Sequence, residues 1–196
     1  MLHILDDEEV MRDSLAWLAQ SRATPAITYD SADTFLAALD KMTVFDAAGE
    51  CLLLDVRMPG MSGVALFNLL QARGLTQRLP VIFLTGHGDV PMAVDMLKNG
   101  AFDFFEKPFD GNKLMDRVQE ALAASRDAGA LAEVQVRLAA LSLREREVLD
   151  LILEGKMNKV IADQLGISMR TVEVHRAHIF CKMNVKTAVE LARLLK

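Results

Sequence analysis

The segment CLLLDVRMPGMSG, residues 51–63, carries the strongest structural signal in the chain. Its apolar run, Cys51–Leu54, has the length and uniform apolarity of a strand buried on both faces, as in a parallel sheet. The run ends on an acid, Asp55, and a turn follows at once through Met58-Pro59-Gly60 and Gly63. A lone aspartate after a strand is usually a turn former. The rest of the chain gives this one a different setting.

Short apolar runs alternate with helical patterns on both sides of that strand. The strand candidates are Leu2–Leu5, Ile27–Tyr29, Cys51–Leu54, Val81–Leu84 and Phe102–Phe105, with helical stretches at about 8–22, 32–41, 62–73, 89–98 and 111–125. Asp89 with Pro91 marks a helix start, and Asn99-Gly100 a helix stop. The alternation predicts an α/β unit, a five-stranded doubly wound parallel sheet of flavodoxin-like type, whose ligands bind beyond the carboxyl ends of the strands. Those ends carry Asp6-Asp7, Asp55, Thr85-Gly86 and Lys107-Pro108. On one sheet edge they amount to three carboxylates, a hydroxyl and an ammonium. Carboxylates so close repel one another. A hard divalent cation with oxygen ligands removes the conflict, and Mg²⁺ suits such a site. The set describes an aspartate that accepts a phosphoryl group. Asp55 is the nucleophile, the cation and Lys107 neutralise charge, and Thr85 donates to an anionic oxygen.

The composition agrees with a folded chain of two domains. Over 196 residues, 52% are hydrophobic and 25% charged, which is a globular balance. The net charge of −5 is unevenly spread, with 12 Lys/Arg against 20 Asp/Glu up to residue 140 and 10 against 7 from there on. An acidic front and a mildly basic back predict different partners, nucleic acid for the second. Cys51 and Cys181 fit neither a disulfide framework nor a metal cluster, which predicts a reducing cytoplasm. No apolar run reaches about 18 residues and no signal-peptide pattern opens the chain, so a soluble, cytoplasmic protein with no membrane partner is expected. His87 reads as a loop histidine, and Met58, Met61, Met92 and Met96 as packing residues.

Residues 121–140, ALAASRDAGALAEVQVRLAA, hold no proline and one glycine, Gly129, and predict a helical connection that continues the helix before it, with Gly129 as its weak point. The tail is helical throughout. Ser142 and Glu145 form a capping box for a helix at 144–154, with Gly155 as its stop. Asn158 is expected to cap a second helix ending at Leu165-Gly166. Ser168 caps a third that runs to about Met183, and Thr187 starts a fourth. In the third helix Val172, His175, Ile179 and Met183 recur at helical spacing and should face inward. Arg170, Glu173, Val174, Ala177 and His178 then face outward, as on a recognition helix in the major groove.

The Asp pair, "LLLDVRMPGMSG", "LTGHGD" and "FFEKPF" resemble, in order and spacing, the receiver domain of bacterial two-component response regulators. "LSLREREVLDLILEGKMNKVIADQLGISMRTVEVHR" resembles the LuxR-type four-helix DNA-binding domain, and together the halves resemble the FixJ/NarL class, FixJ-like members above all. The resemblance implies a receiver at 1–120, a helical linker at 121–140 and a LuxR-type domain at 141–196. It implies that Asp55 is the phosphoacceptor and that Asp6, Asp7, Asp55 and the backbone carbonyl of Arg57 hold Mg²⁺. Thr85 and Lys107 then bind the phosphoryl oxygens, and Phe104 is the aromatic switch, where many relatives carry tyrosine. The Lys107–Pro108 bond is expected to be cis. Glu173, Val174 and Ala177 map to base contacts, and Lys159, Arg170, Thr171 and Arg176 to phosphate contacts. The implied partners are a sensor histidine kinase, double-stranded promoter DNA, a second copy of the chain on phosphorylation, and RNA polymerase. The protein would assist its own phosphorylation and dephosphorylation and turn over no external substrate. A dehalogenase-like phosphohydrolase would want a second acid two residues after Asp55, where Arg57 stands. A phosphate-independent adaptor would show a broken pocket, and this one is complete in sequence.

Overall fold

The computed structural model describes residues 1–42, 44–86 and 90–195. The expected helix start at Asp89 and the loop histidine His87 lie outside the described residues. The chain divides into two compact units, Met1–Gly129 and Ala130–Lys196.

The first unit alternates strand and helix. In order it runs β1 (Leu2–Leu5), α1 (Glu9–Ser21), β2 (Ala26–Tyr29), α2 (Ala32–Leu39), β3 (Cys51–Asp55), α3 (Gly63–Ala72), β4 (Val81–Thr85), α4 (Val90–Lys98), β5 (Asp103–Glu106) and α5 (Gly111–Ala139). The strands form one parallel sheet in the order β2-β1-β3-β4-β5. Side chains alternate across it, as strand geometry requires. Leu52 and Leu54 of β3 face a core built with Phe35, Leu66, Phe67 and Met96 from α2, α3 and α4. Cys51 and Leu53 face the opposite core, with Leu15 of α1 and Leu114, Met115 and Val118 of α5. With helices on both faces, every residue of β1, β3 and β4 is buried, which explains the apolar runs of β3 and β4; His3 of β1 is buried with its Nε2 2.6 Å from Glu50 Oε2. Met58 and Met96 are core residues and Met61 and Met92 pack against them, as expected.

Element boundaries differ from expectation by a residue or so. β2 begins at Ala26, β5 at Asp103 rather than Phe102, and β3 and β4 extend to include Asp55 and Thr85. Phe102 is nevertheless tied to the sheet, its N–H donating to the Val81 carbonyl at 2.8 Å. The helix expected over 111–125 continues unbroken through Gly129 to Ala139. Gly129 lies against the Arg78 guanidinium, which donates to the Ser125 carbonyl; a β-carbon there would fall 1.5 Å from Nη1 of that flexible side chain. Ala121, Leu122 and Ser125 of α5 are buried in the first unit.

The second unit begins with the last turns of α5 and adds α6 (Leu143–Leu153), α7 (Asn158–Leu165), α8 (Met169–Met183) and α9 (Ala188–Leu194). Val148, Leu149, Ile152, Ile161, Val172, Ile179, Met183 and Leu191 make its core, with Val134 and Leu138 of α5 packed against it. Ser142, Ser168 and Thr187 are N-caps whose hydroxyls accept backbone N–H bonds, and Ser142 with Glu145 completes a capping box. One expected cap is displaced. Met157, in extended conformation, is the N-cap of α7 and makes no side-chain cap bond, so Asn158 is already the first helical residue. Gly166 ends α7 in the left-handed conformation. Among the described residues no helix is long and apolar enough to cross a membrane.

Glu145 does more than cap. Only 4% exposed, its carboxylate accepts from Ser142 N at 2.8 Å and from Lys182 Nζ at 2.7 Å, joining the start of α6 to the end of α8. Lys182 first, and the Ser142 N–H second, hold its pKa at about 2 against an ordinary 4.5. A depressed carboxyl pKa stabilises the fold above the unfolded value, and that contribution vanishes as pH falls through the folded value. The melting-temperature gap between wild type and Glu145→Gln should therefore be widest near neutrality and close as pH falls from about 4.5 to about 2. Calorimetry of the full chain against pH measures it, and a gap independent of pH would contradict this role for the charge.

Candidate functional site

Strand pairing brings the chemistry together. Leu5 of β1 pairs with Leu54 of β3, so the next residues, Asp6 and Asp55, stand side by side at the carboxyl edge. Alternation also puts them on one side of the sheet, with Ile4 and Leu53 before them in the same core. Both carboxylates are buried, Asp6 fully and Asp55 to within 6%. Two buried anions in adjacent positions need a cation. Lys107, just past β5, supplies it, with Nζ 2.7 Å from Asp6 Oδ2 and 2.6 Å from Asp55 Oδ1. The Lys107 N–H donates to the Thr85 carbonyl at 2.7 Å, and the Lys107–Pro108 bond is cis, as expected.

The remaining carboxylate oxygens are held by backbone. Arg57 N–H donates to Asp55 Oδ2 at 2.7 Å, and Glu8 N–H to Asp6 Oδ1 at 2.9 Å. Arg12 Nη1 grips the loop from outside, donating to the carbonyls of Asp6 and Asp7 at 2.9 and 3.0 Å. Burial pushes the Asp55 carboxyl above the usual carboxylate range despite the opposing pull of Lys107, and the Asp6 charge adds to the rise. Burial works against the Lys107 ammonium, but its bonds to Asp55 and Asp6 prevail and raise its pKa. The arrangement places a carboxylate at the sheet edge with a lysine ammonium beside it to offset the charge of an anionic partner. That suits attack by Asp55 on an electrophile whose own oxygens are anionic.

The other expected members lie close by in sequence and register. Thr85 is buried at the end of β4, its hydroxyl donating to the Gly86 carbonyl at 3.0 Å. Phe104 of β5 is half-buried against the α2–α3–α4 core. Asp7 is exposed, and among the described residues no group of three acidic, imidazole or thiol side chains is gathered as metal ligands. The donor chemistry still fits a hard cation, because Asp6 and Asp55 already converge on one positive charge. Spacing alone gave no sign of Arg12 as a clamp on the loop.

In the second unit, α8 has the two faces expected of it. Val172, Ile179 and Met183 are buried and His175 is half-buried, with its Nδ1 enclosed and without a hydrogen-bond partner among the described residues. Arg170, Glu173, Val174, Ala177 and His178 are exposed, as is Lys159 on α7. Thr171 joins the cap, its N–H 3.0 Å and its hydroxyl 2.8 Å from Ser168 Oγ. Arg176 is half-buried, with its guanidinium over the Phe180 ring. His178 also approaches Glu145, at 3.7 Å, which its expected outward placement did not anticipate.

Comparison with known proteins matches both units. The profile described as "Response regulator receiver domain" matches residues 2–119, and that of "Bacterial regulatory proteins, luxR family" matches 139–195. The C4-dicarboxylate transport transcriptional regulatory protein DctR of Rhodobacter capsulatus is 50% identical over 98% of each chain. The transcriptional regulatory protein FixJ of Azorhizobium caulinodans is 44% identical over 98% of this chain and 90% of its own. Among solved structures, the response regulator StyR aligns with a TM-score of 0.72 at 37% identity, covering 99% of this chain and 96% of that one. Full-length FixJ from B. japonicum aligns with a TM-score of 0.58 at 38% identity, covering 98% and 94%.

The geometry around Asp55 leaves no room at Gly63. A β-carbon there would sit 2.1 Å from the Asp55 carbonyl oxygen, which a backbone atom cannot yield without moving β3. Gly63→Ala should destabilise the first unit by about 1–3 kcal/mol, the usual range for overpacking. Gly60→Ser, where the added group meets open space but the backbone is left-handed, serves as a strain-only comparison. Urea unfolding measures both, and an unaffected Gly63→Ala would mean that the loop relaxes freely.

Proposed function

Because the chain belongs to the bacterial response regulators that join a receiver to a LuxR-type DNA-binding domain, we propose that Asp55 accepts a phosphoryl group from a sensor histidine kinase. The protein is a transcriptional regulator of this family and not a turnover enzyme acting on an external substrate. The observation that carries the proposal is the Lys107 ammonium shared between Asp6 and Asp55 at the sheet edge. Residues 1–120 act as the receiver, 121–140 as the helical connection and 141–196 as the DNA reader, and the protein works in the cytoplasm.

Asp55 attacks phosphorus, and the bond from phosphorus to the donor's nitrogen breaks as the new acyl phosphate bond forms. Asp6, Asp7, Asp55 and the Arg57 carbonyl would hold Mg²⁺, which supplies positive charge for the oxygens of the transferring group. Lys107 exchanges its bond to Asp55 for one to a phosphoryl oxygen, and Thr85 turns its hydroxyl from the Gly86 carbonyl toward another. The added charge, roughly −2 at neutral pH, favours that rearrangement, and Phe104 follows Thr85 inward. The new state favours a homodimer, whose paired recognition helices read two half-sites in promoter DNA and act on RNA polymerase. Glu173, Val174 and Ala177 face bases, while Lys159, Arg170, Thr171 and Arg176 meet phosphates.

Two experiments test this. With Mg²⁺ and acetyl phosphate, or a beryllium fluoride mimic, the wild type should be modified and Asp55→Asn should not; equal modification of the variant would falsify the assignment. On DNA, Lys159→Ala should weaken binding to all sequences alike and lower the salt slope by about one. Glu173→Ala should instead change base preference. The reverse pattern would exchange the roles of the two positions.

A further inference from the structure

Among the cations assigned to phosphate, Arg176 has a distinct setting. Its guanidinium carbon lies 5.4 Å from the centroid of the Phe180 ring, one turn further along α8. Arg176 is half-buried, whereas Lys159 and Arg170 are exposed. Among the described residues no carboxylate pairs with it. Phe180 is itself fixed, being partly buried against the core of the second unit. A guanidinium held over a ring still has N–H donors that can meet anionic oxygens. The contact also removes side-chain freedom that would otherwise be lost on binding.

We propose that Phe180 is a positioning residue for DNA binding, holding the Arg176 guanidinium ready for a backbone phosphate. This rests on α8 being the DNA-reading helix. Phe180 acts only through Arg176 and carries no sequence preference. Its contribution should appear on any duplex and should disappear when Arg176 is absent.

The test uses the full chain activated with Mg²⁺ and beryllium fluoride, a short random-sequence DNA duplex and fluorescence anisotropy over a range of salt. Arg176→Ala should weaken binding and lower the salt slope by about one. Phe180→Leu should weaken binding about two- to fivefold, the scale of an exposed cation–π contact, with the slope unchanged because the charge remains. Phe180→Tyr should retain wild-type affinity, since it keeps the ring. In an Arg176→Ala background, Phe180→Leu should change nothing. An equal loss from Phe180→Leu in both backgrounds would make Phe180 a packing residue only, and so would no loss in either. An unaltered salt slope in Arg176→Ala, with Lys159→Ala still lowering it, overturns the inference and leaves the DNA assignment standing. Failure of the wild type to bind any duplex overturns both.

Discussion

Two buried carboxylates on neighbouring strands cannot both be ionised without a cation between them, and Lys107 answers that demand. The constraint reaches well beyond the pocket. It requires β1, β3 and β5 to end at one edge, which parallel strands joined by helices achieve and antiparallel hairpins do not. It also requires Asp6 and Asp55 to share a side of the sheet, which the register of Leu5 with Leu54 provides. Shifting β1 by one residue would turn Asp6 to the other core and leave Asp55 with Lys107 alone. Fold and site therefore depend on the same strand register.

Among the described residues the second unit contains one buried acid, Glu145, and its use is different. Glu145 accepts from a lysine, Lys182, and from a backbone N–H. Its charge is stabilised and its pKa pulled to about 2, whereas burial raises that of Asp55. One carboxylate fastens helices together, and the other keeps a high-energy anion at an open rim. The contrast follows from their surroundings. Glu145 lies at a capped helix start beside a lysine, and Asp55 shares its single lysine with a second acid.

Helix α5 links these two settings through the chain. Its first part is buried with the sheet through Leu114, Val118 and Ala121, and Val134 and Leu138 near its end pack on the core of the second unit. Gly129 lies between these stretches without breaking the helix. Its cost, about 1 kcal/mol relative to alanine, is small beside the packing of the turns on either side.

Much was legible in the sequence because local rules governed it. Uniform apolar runs named the buried strands, Ser142 with Glu145 named a helix start, and strand-end acids with a lysine named the pocket. The spacing of Val172, Ile179 and Met183 marked the inner face of α8, which the structure buries. What the sequence could not determine depended on groups far apart along the chain, or on backbone groups and backbone conformation. Lys107 meets Asp6 across 101 positions, and that pairing follows only from sheet order. Arg12 clamps two carbonyls, and backbone acceptors leave no mark in a residue pattern. Met157 rather than Asn158 caps α7, because the chain is still extended at Met157 as it leaves the turn at Gly155. Residue type and spacing thus determined the elements and the chemistry they carry. Tertiary structure alone decided which charges meet, because Coulomb and hydrogen-bond energies depend on distance in space and not on separation along the chain.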